Sequence, residues 1–285
     1  MKLGIFAKTF SRPTMEEVLD AIIAHGLTQV QFNLVCAGTP SLPDQIDDAL
    51  INRIRSAFEK RGLQMAALSG TFNMIHPDLG ERQRGLERLQ VLAQAGRAMG
   101  APLITLCTGT RDARNMWTAH PENQSVLAWD DLLRSMETAL EIAESANISL
   151  GVEPEVTNVI DSPERARALL DVFRSPRLKI VMDPANLFAK GELARIHEIL
   201  DHAFAVLGPD IVLAHAKDLS SDGGAGHEAA GTGLLDYDYY LEHLQRMEFD
   251  GALILHSLTE AQVDKSVKFV REKISNLRGT PANAS

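Results

Sequence analysis

The stretch LGVEPEVTN, residues 150–158, is an apolar run that ends in two carboxylates, Glu153 and Glu155, with Pro154 between them. In an extended chain, residues two apart point to the same side. An apolar body with paired acids at its C-terminal end is the pattern of a buried strand that opens onto a polar site.

Working outward from this run, apolar segments of strand period alternate with longer segments of helical period. Strands are predicted at 3–7, 29–34, 64–71, 103–110, 148–155, 178–186, 211–218 and 252–258. Helices are predicted between them. One is opened by a capping box, Thr14 with Glu17, and others cover 43–60 (stopped by Gly62), 80–99 and 129–145. A further helix opens at Ser162-Pro163, two more cover 192–207 and 237–247, and the last ends near 274. Strand–helix units recurring about every 35 residues are the rhythm of a (β/α)8 barrel of about 250 residues. A doubly wound open sheet usually has fewer strands and carries a Gly-rich phosphate loop, yet neither GxGxxG nor GxxxxGK[ST] occurs. The fold expected is an α/β, single-domain (β/α)8 TIM barrel over 1–277, with a flexible C-terminal tail over 278–285.

The chain has 285 residues, 45% of them apolar, and a formal net charge of −10. That balance argues against a nucleic-acid binder, which needs clustered Lys and Arg. No apolar run approaches the ~20 residues that cross a bilayer, and the apolar part of MKLGIFAKTF is too short for a signal peptide. Cys36 and Cys107 lie in no CxxC or Cys/His cluster and read as buried thiols in a reducing compartment. The expectation is a cytoplasmic protein without membrane or nucleic-acid partners. A homo-oligomer is left open.

In a TIM barrel the active site lies at the C-terminal strand ends. The polar residues there are Lys8; Asn33; Asn73 and His76; Thr108, Thr110 and Arg111; Glu153 and Glu155; Asp183 and Asn186; His215, Lys217 and Asp218; and His256. Each has a bland explanation alone: a satisfied core histidine, a helix-capping DPAN turn, a GTR loop, a Lys217–Glu155 pair. Their coincidence at one end of successive units carries the weight. Burying Glu153 beside Asp183 is unfavourable without a cation. A divalent metal resolves this, and with His215 and His256 the donor set suits Mn, Zn, Co or Fe, with Mg also considered.

At these residues the chain resembles the xylose isomerase-like TIM barrels, the sugar phosphate isomerase/epimerase superfamily that includes endonuclease IV. The cues are Glu153, Asp183, His215-Ala216-Lys217-Asp218 and Gly231-Thr232-Gly233-Leu234-Leu235-Asp236-Tyr237, and the resemblance spans 3–274. It implies that Glu153, Asp183 and His215 bind the metal and that Glu153 doubles as a base. Ketose epimerases of the family take a fourth ligand, a Glu, from strand eight. Here that place holds His256, so two-base epimerisation loses one partner. Asn186 stands where those epimerases often have a substrate-binding His, and the His-rich three-metal set of endonuclease IV is not evident.

The expected function is a divalent-metal-dependent isomerase, with epimerisation as a variant, acting on a small sugar through an enediolate. Glu153, Glu155 and His256 are the candidate catalytic residues. Lys217 and Arg111 are assigned to a phosphate or carboxylate, and Asn33, Asn73, Asn186 and His76 to hydroxyls. His227 and Asp218 lie in or near a Gly-rich loop, 220–233, with the composition of a mobile lid. Trp117, His120 and Phe72 are candidate pocket walls. The rivals are a sugar or inosose dehydratase on the same scaffold and a non-catalytic sugar-binding barrel.

Overall fold

The computed structural model describes residues 1–279. Eight parallel strands close into a ring: β1 (Lys2–Phe6), β2 (Gln29–Phe32), β3 (Gln64–Ser69), β4 (Leu103–Leu106), β5 (Ser149–Val152), β6 (Leu178–Met182), β7 (Ile211–Asp218) and β9 (Ala252–Leu255), which pairs back onto β1. A short strand, β8 (Glu228–Ala229), runs antiparallel to the end of β7. The outer helices are α1 (Met15–Ala24), α2 (Asp48–Arg61), α3 (Leu79–Met99), α4 (Val126–Ala146), α5 (Pro163–Phe173), α6 (Ile196–Leu207), α7 (Tyr237–Arg246) and α8 (Val263–Gly279). The expected (β/α)8 barrel is therefore the fold found.

Local chemistry sets the element ends. The Thr14–Glu17 capping box opens α1, and Gly62 closes α2 in the left-handed region at φ 63°. Ser162 caps α5, whose first turn carries Pro163. The last helix runs to Gly279, beyond the expected end near 274. Of the expected tail, residues 280–285 lie outside the described residues.

Several predicted strands ran long. The stretches 103–110, 148–155, 178–186 and 252–258 leave the ladder at Leu106, Val152, Met182 and Leu255. The apolar runs end there, and the polar residues that follow them lie where the backbone turns away from the ladder. Asp183 shows how: its Oδ1 accepts from the Ala185 amide at 3.1 Å and starts a 3-10 turn. Glu153, Asp183 and His256 thus stand on the rim, on the first residues after their staves, whereas His215, Lys217 and Asp218 lie within the longer β7.

Two apolar layers position that rim. One fills the space between strands and helices, with Leu19, Leu68, Leu92, Met136 and Leu241 among its buried members. The other plugs the barrel interior: Ala67, Leu103, Val181, Leu213, Ala252 and Ile254, with Phe6 against them. Gly4 keeps β1 close to its neighbours, because a Cβ there would meet the Gln29 carbonyl and lie 2.7 Å from Ile254 Cδ1. The inner plug is the floor of the site. No described helix is long and apolar enough to cross a membrane.

Candidate active site

The ends of β5, β6, β7 and β9 bring Glu153, Asp183, His215 and His256 to one side of the barrel mouth. Asp183 is fully buried, and its Oδ2 accepts from Lys217 Nζ at 2.9 Å and faces His215 Nδ1 at 3.3 Å. Glu153 Oε1 lies 3.6 Å from the same His215 Nδ1 and accepts from Asn186 Nδ2 at 2.6 Å. Asn186 Oδ1 accepts in turn from Lys217 Nζ at 2.7 Å. The His215 and His256 rings stack with centroids 5.1 Å apart, and Phe6 lies against the other side of His256 at 5.2 Å.

The electrostatics follow from burial set against these partners. Burial alone would lower the His215 pKa, but Glu153 and Asp183 outweigh it and raise it to about 9. For Asp183, burial opposes ionisation, and the charges of Lys217 and His215 overcome that and hold it well below the usual carboxylate range. Burial would lower Lys217, yet Asp183 and Glu153 push it up. His256 moves the other way: burial, then the charges of His215 and Lys217, hold it well below a normal imidazole, so it stays neutral with a lone pair to give. Glu155 is raised to about 7, first by burial, against the hydrogen bond it accepts from Thr157 Oγ1 and with help from the charge of Glu153.

These residues fit a divalent ion. Among the described residues, Asp183, His215 and His256 each offer a ligand atom, all within 4.8 Å of one another. A tetrahedral ion with bonds of about 2.1 Å wants donors about 3.4 Å apart, so the trio needs to draw in by roughly 1 Å. The second nitrogen of His215 supports the fit. Nε2 lies 2.9 Å from Gln31 Oε1, so it carries the hydrogen and leaves Nδ1 to face the carboxylates. Gln31 is itself held by Ser69 Oγ and Thr105 Oγ1 at 3.5 and 3.4 Å. Lys217 and a protonated His215 stand against the two acids.

A cavity of about 600 Å³ opens above this cluster. It is lined by Lys8, Asn33, Trp117, Glu153, Glu155, Asn186, His215, Lys217, His227 and His256 among the sequence candidates. A hollow of about 470 Å³ on the outer wall, beside His25 and Asp264, is open to solvent and remote from every strand end.

Other candidates are spent elsewhere. Arg111 is not a cavity residue: Nη2 donates to Asp131 Oδ2 at 2.6 Å and Nη1 to the Ile75 carbonyl at 3.2 Å. Asn73 ties two loops, donating to the Thr110 carbonyl at 2.8 Å and accepting from the Thr110 and Ile75 amides at 3.0 and 3.3 Å. Both nitrogens of His76 are used, by the Ala113 carbonyl and the Asp78 amide, each at 3.1 Å. Phe72 is buried beneath Gly85, and His120 caps a 3-10 turn; only Trp117 of the three expected walls lines the cavity. Thr108 and Thr110 bond to the Ile160 amide and Asn123. Asn186 bridges Glu153 and Lys217 and also lines the cavity, with one amide hydrogen and one oxygen lone pair not taken up by that bridge. Asn33 keeps its amide nitrogen without a partner among the described residues, its Oδ1 taken by the Val35 amide and Ser41 Oγ.

Asp218 is not a substrate residue. Its Oδ1 accepts from the Leu219 and Leu235 amides and its Oδ2 from the Gly231 and Gly233 amides, at 2.9–3.1 Å. The loop expected to be a lid is pinned further by Gly223 and Gly226, whose amides donate to the Phe188 and Ala185 carbonyls at 2.9 Å. His227 rides on this loop at the cavity edge. Sequence reasoning missed Gln31, Ser69 and Thr105, lone polar residues within apolar strands. The shared parity of Gln29, Gln31 and Asn33 on one strand was the available signal.

A closed (β/α)8 barrel with carboxylates and imidazoles converging at its C-terminal mouth defines the class of protein. The family model of xylose isomerase-like TIM barrels matches residues 16–273, and the chain belongs to that family. No curated protein matches the sequence. Among solved structures, the chain is similar to an L-ribulose 3-epimerase, at 15% identity, TM-score 0.77 and full coverage (100%) of both chains. It is similar to the IOLI protein with a bound zinc atom, at 16% identity and TM-score 0.71, covering 97% of this chain and 98% of that one. It is also similar to a probable 3-DHS dehydratase from Bacillus anthracis, at 14% identity and TM-score 0.73, covering 95% and 99%. Epimerases, isomerase-like proteins and a dehydratase therefore share this fold.

Proposed function

We propose that this protein is a divalent-metal-dependent isomerase of a small sugar or sugar derivative, working by proton abstraction next to a carbonyl. The observation that carries the reading is the cluster of Asp183, His215 and His256, with ligand atoms within 4.8 Å of one another and Glu153 Oε1 3.6 Å from His215 Nδ1, beside a cavity of about 600 Å³, large enough for a sugar. The four side chains would hold the ion, which when bound supplies Lewis-acid polarisation of a carbonyl and an adjacent hydroxyl.

The protein's own groups do the rest. Glu153 Oε1, oriented by the Asn186 amide, takes the proton from the carbon beside the carbonyl. Glu155, at about 7, holds or releases a proton near neutral pH and serves the substrate oxygens. Lys217 keeps Asp183 ionised and in place. With His256 instead of a second glutamate, proton transfer is confined to one face, which suits exchange between adjacent carbons. Two unpaired cysteines agree with a reducing, cytoplasmic setting.

Dehydration is the second reading, because Glu155 near neutrality is also a suitable donor to a departing hydroxyl. Metal analysis of the purified protein comes first, followed by incubation with candidate ketoses in D2O. Stoichiometric ion and deuterium at the carbon beside the carbonyl are expected, with Glu153→Gln abolishing exchange. Loss of water from the substrate selects the dehydratase. A protein that binds no ion, or exchanges no deuterium with any ketose, removes the catalytic reading and leaves a sugar-binding barrel.

A further inference from the structure

We propose that Lys8 is the docking point for an anionic group on the substrate, so that the natural ligand is a phosphorylated or carboxylated sugar and not a neutral one. The inference rests on the function proposed above and adds the substrate class. Arg111, a candidate for this role from the sequence, is taken by Asp131, and Lys217 is taken by Asp183 and Asn186. Lys8 remains. It lines the same cavity, is exposed, and has no hydrogen-bond or salt-bridge partner among the described residues. The Phe6 ring centroid lies 5.8 Å from Nζ, and the ammonium's charge is felt at the Cys36 thiol and at His256, neither of which is an anion that would neutralise it. Phe6 in turn lies against His256, so the ammonium stands beside the reaction centre without touching its carboxylates.

Placement in the ring gives the handle its reach. Around the closed barrel, β1 and β5 are four staves apart, on opposite sides of the mouth. Lys8 follows β1 and Glu153 follows β5. A ligand with its reacting carbon at Glu153 and an acidic terminus at Lys8 therefore spans the opening. The two carboxylates that line the cavity have other partners: Glu153 accepts from Asn186 and Glu155 from Thr157. In a chain of net charge −10, an ammonium left uncompensated inside a cavity is complementary to a ligand's negative charge.

The test measures binding and solvent exchange for D-ribulose, D-ribulose 5-phosphate and 5-keto-D-gluconate with the metal-loaded wild type, Lys8→Met and Lys8→Arg. Tighter binding of an anionic sugar is expected in the wild type. Lys8→Met should weaken it about tenfold or more, while neutral ribulose is unchanged and Lys8→Arg retains the preference. The phosphate and carboxylate arms say which anion is taken. Exchange with ribulose but no preference for either anion, or a preference that survives Lys8→Met, overturns this inference and leaves the isomerase reading standing. Anion preference without exchange overturns the isomerase reading and keeps Lys8. No binding of any of the three sugars overturns both.

Discussion

Asp131 explains why Arg111 is absent from the cavity. This one carboxylate, on α4, receives Arg82 Nη1 at 2.7 Å and Arg111 Nη2 at 2.6 Å, with Arg134 as a third partner. Burial would raise its pKa, but the guanidinium groups of Arg82, Arg134 and Arg111 outweigh that and hold it at about 2. A folded pKa below the unfolded 3.8 means that the unfolded chain binds the proton more tightly. The resulting stabilisation is complete above pH 3.8 and disappears as pH falls through about 2. Its size is about 2 kcal/mol. Urea denaturation of Asp131→Asn should therefore show that deficit at pH 5–6, narrowing towards pH 2; a deficit constant with pH would remove the titration argument. The same cluster shows where residue reading stops. Glu153, Asp183 and His215 were legible because a charged group at the end of an apolar strand has few innocent roles. Arg111, Asn73 and His76 had equal standing in the sequence. Their partners come from loops or helices that only the folded chain brings near. Gln31 was overlooked because a neutral amide inside a strand carries no charge to be explained.

At the scale of elements, the two glycines of GTGLLD have separate reasons: Gly231 sits at φ 83° with its Cβ position against the Phe269 ring, and Gly233 is explained by Asp218. Its carboxylate needs backbone amides to approach closely, and a Cβ on Gly233 would collide with Asp218 Oδ1 and the Leu219 carbonyl. The HAKD strand end and the later glycines are thus halves of one device, which folds 219–235 back over the barrel and leads to the Asp236 cap of α7. Two tyrosines of that helix complete it: Tyr237 and Tyr240 donate their hydroxyls to the Lys217 and His215 carbonyls at 3.0 and 3.1 Å. Asp218→Ala should leave those amides without their acceptor, cost at least about 3 kcal/mol and make the loop a preferred site of limited proteolysis. The loop carries no Lys or Arg, so a protease of broad specificity such as proteinase K is the probe, and a pattern matching the wild type shows that the carboxylate is not the organiser. The composition of this loop suggested mobility because glycine is common in flexible segments; it cannot reveal that specific amides have a common acceptor.

For the whole molecule, closure depends on the first strand. β1 pairs with β2 on one side and β9 on the other, and the α-amino group of Met1 donates to the Phe249 carbonyl at 3.1 Å. Removing residues 1–6 would expose the edges of β2 and β9 and uncover the inner plug at Phe6. Such a chain should lose near-UV circular dichroism and a cooperative thermal transition, and aggregate; a monomer with a sharp transition would show that the ring closes without it. The barrel itself was legible, because eight apolar runs in alternation with amphipathic helices leave few architectures. Strand ends were less so, since the polar residues after each apolar run can extend a strand or begin a turn, and the sequence does not say which. The groups assigned to proton handling follow β5, β6, β7 and β9, whereas Lys8, Asn33 and Thr71 follow β1, β2 and β3. Gln31 of β2 joins the two halves by holding His215 Nε2, so it has to be kept while its neighbours are varied. A mutant library restricted to positions 8, 33, 41 and 71 reshapes that wall of the cavity while leaving Glu153, Asp183, His215 and His256 unsubstituted, so the ligand preference and the proposed chemistry are separable by experiment.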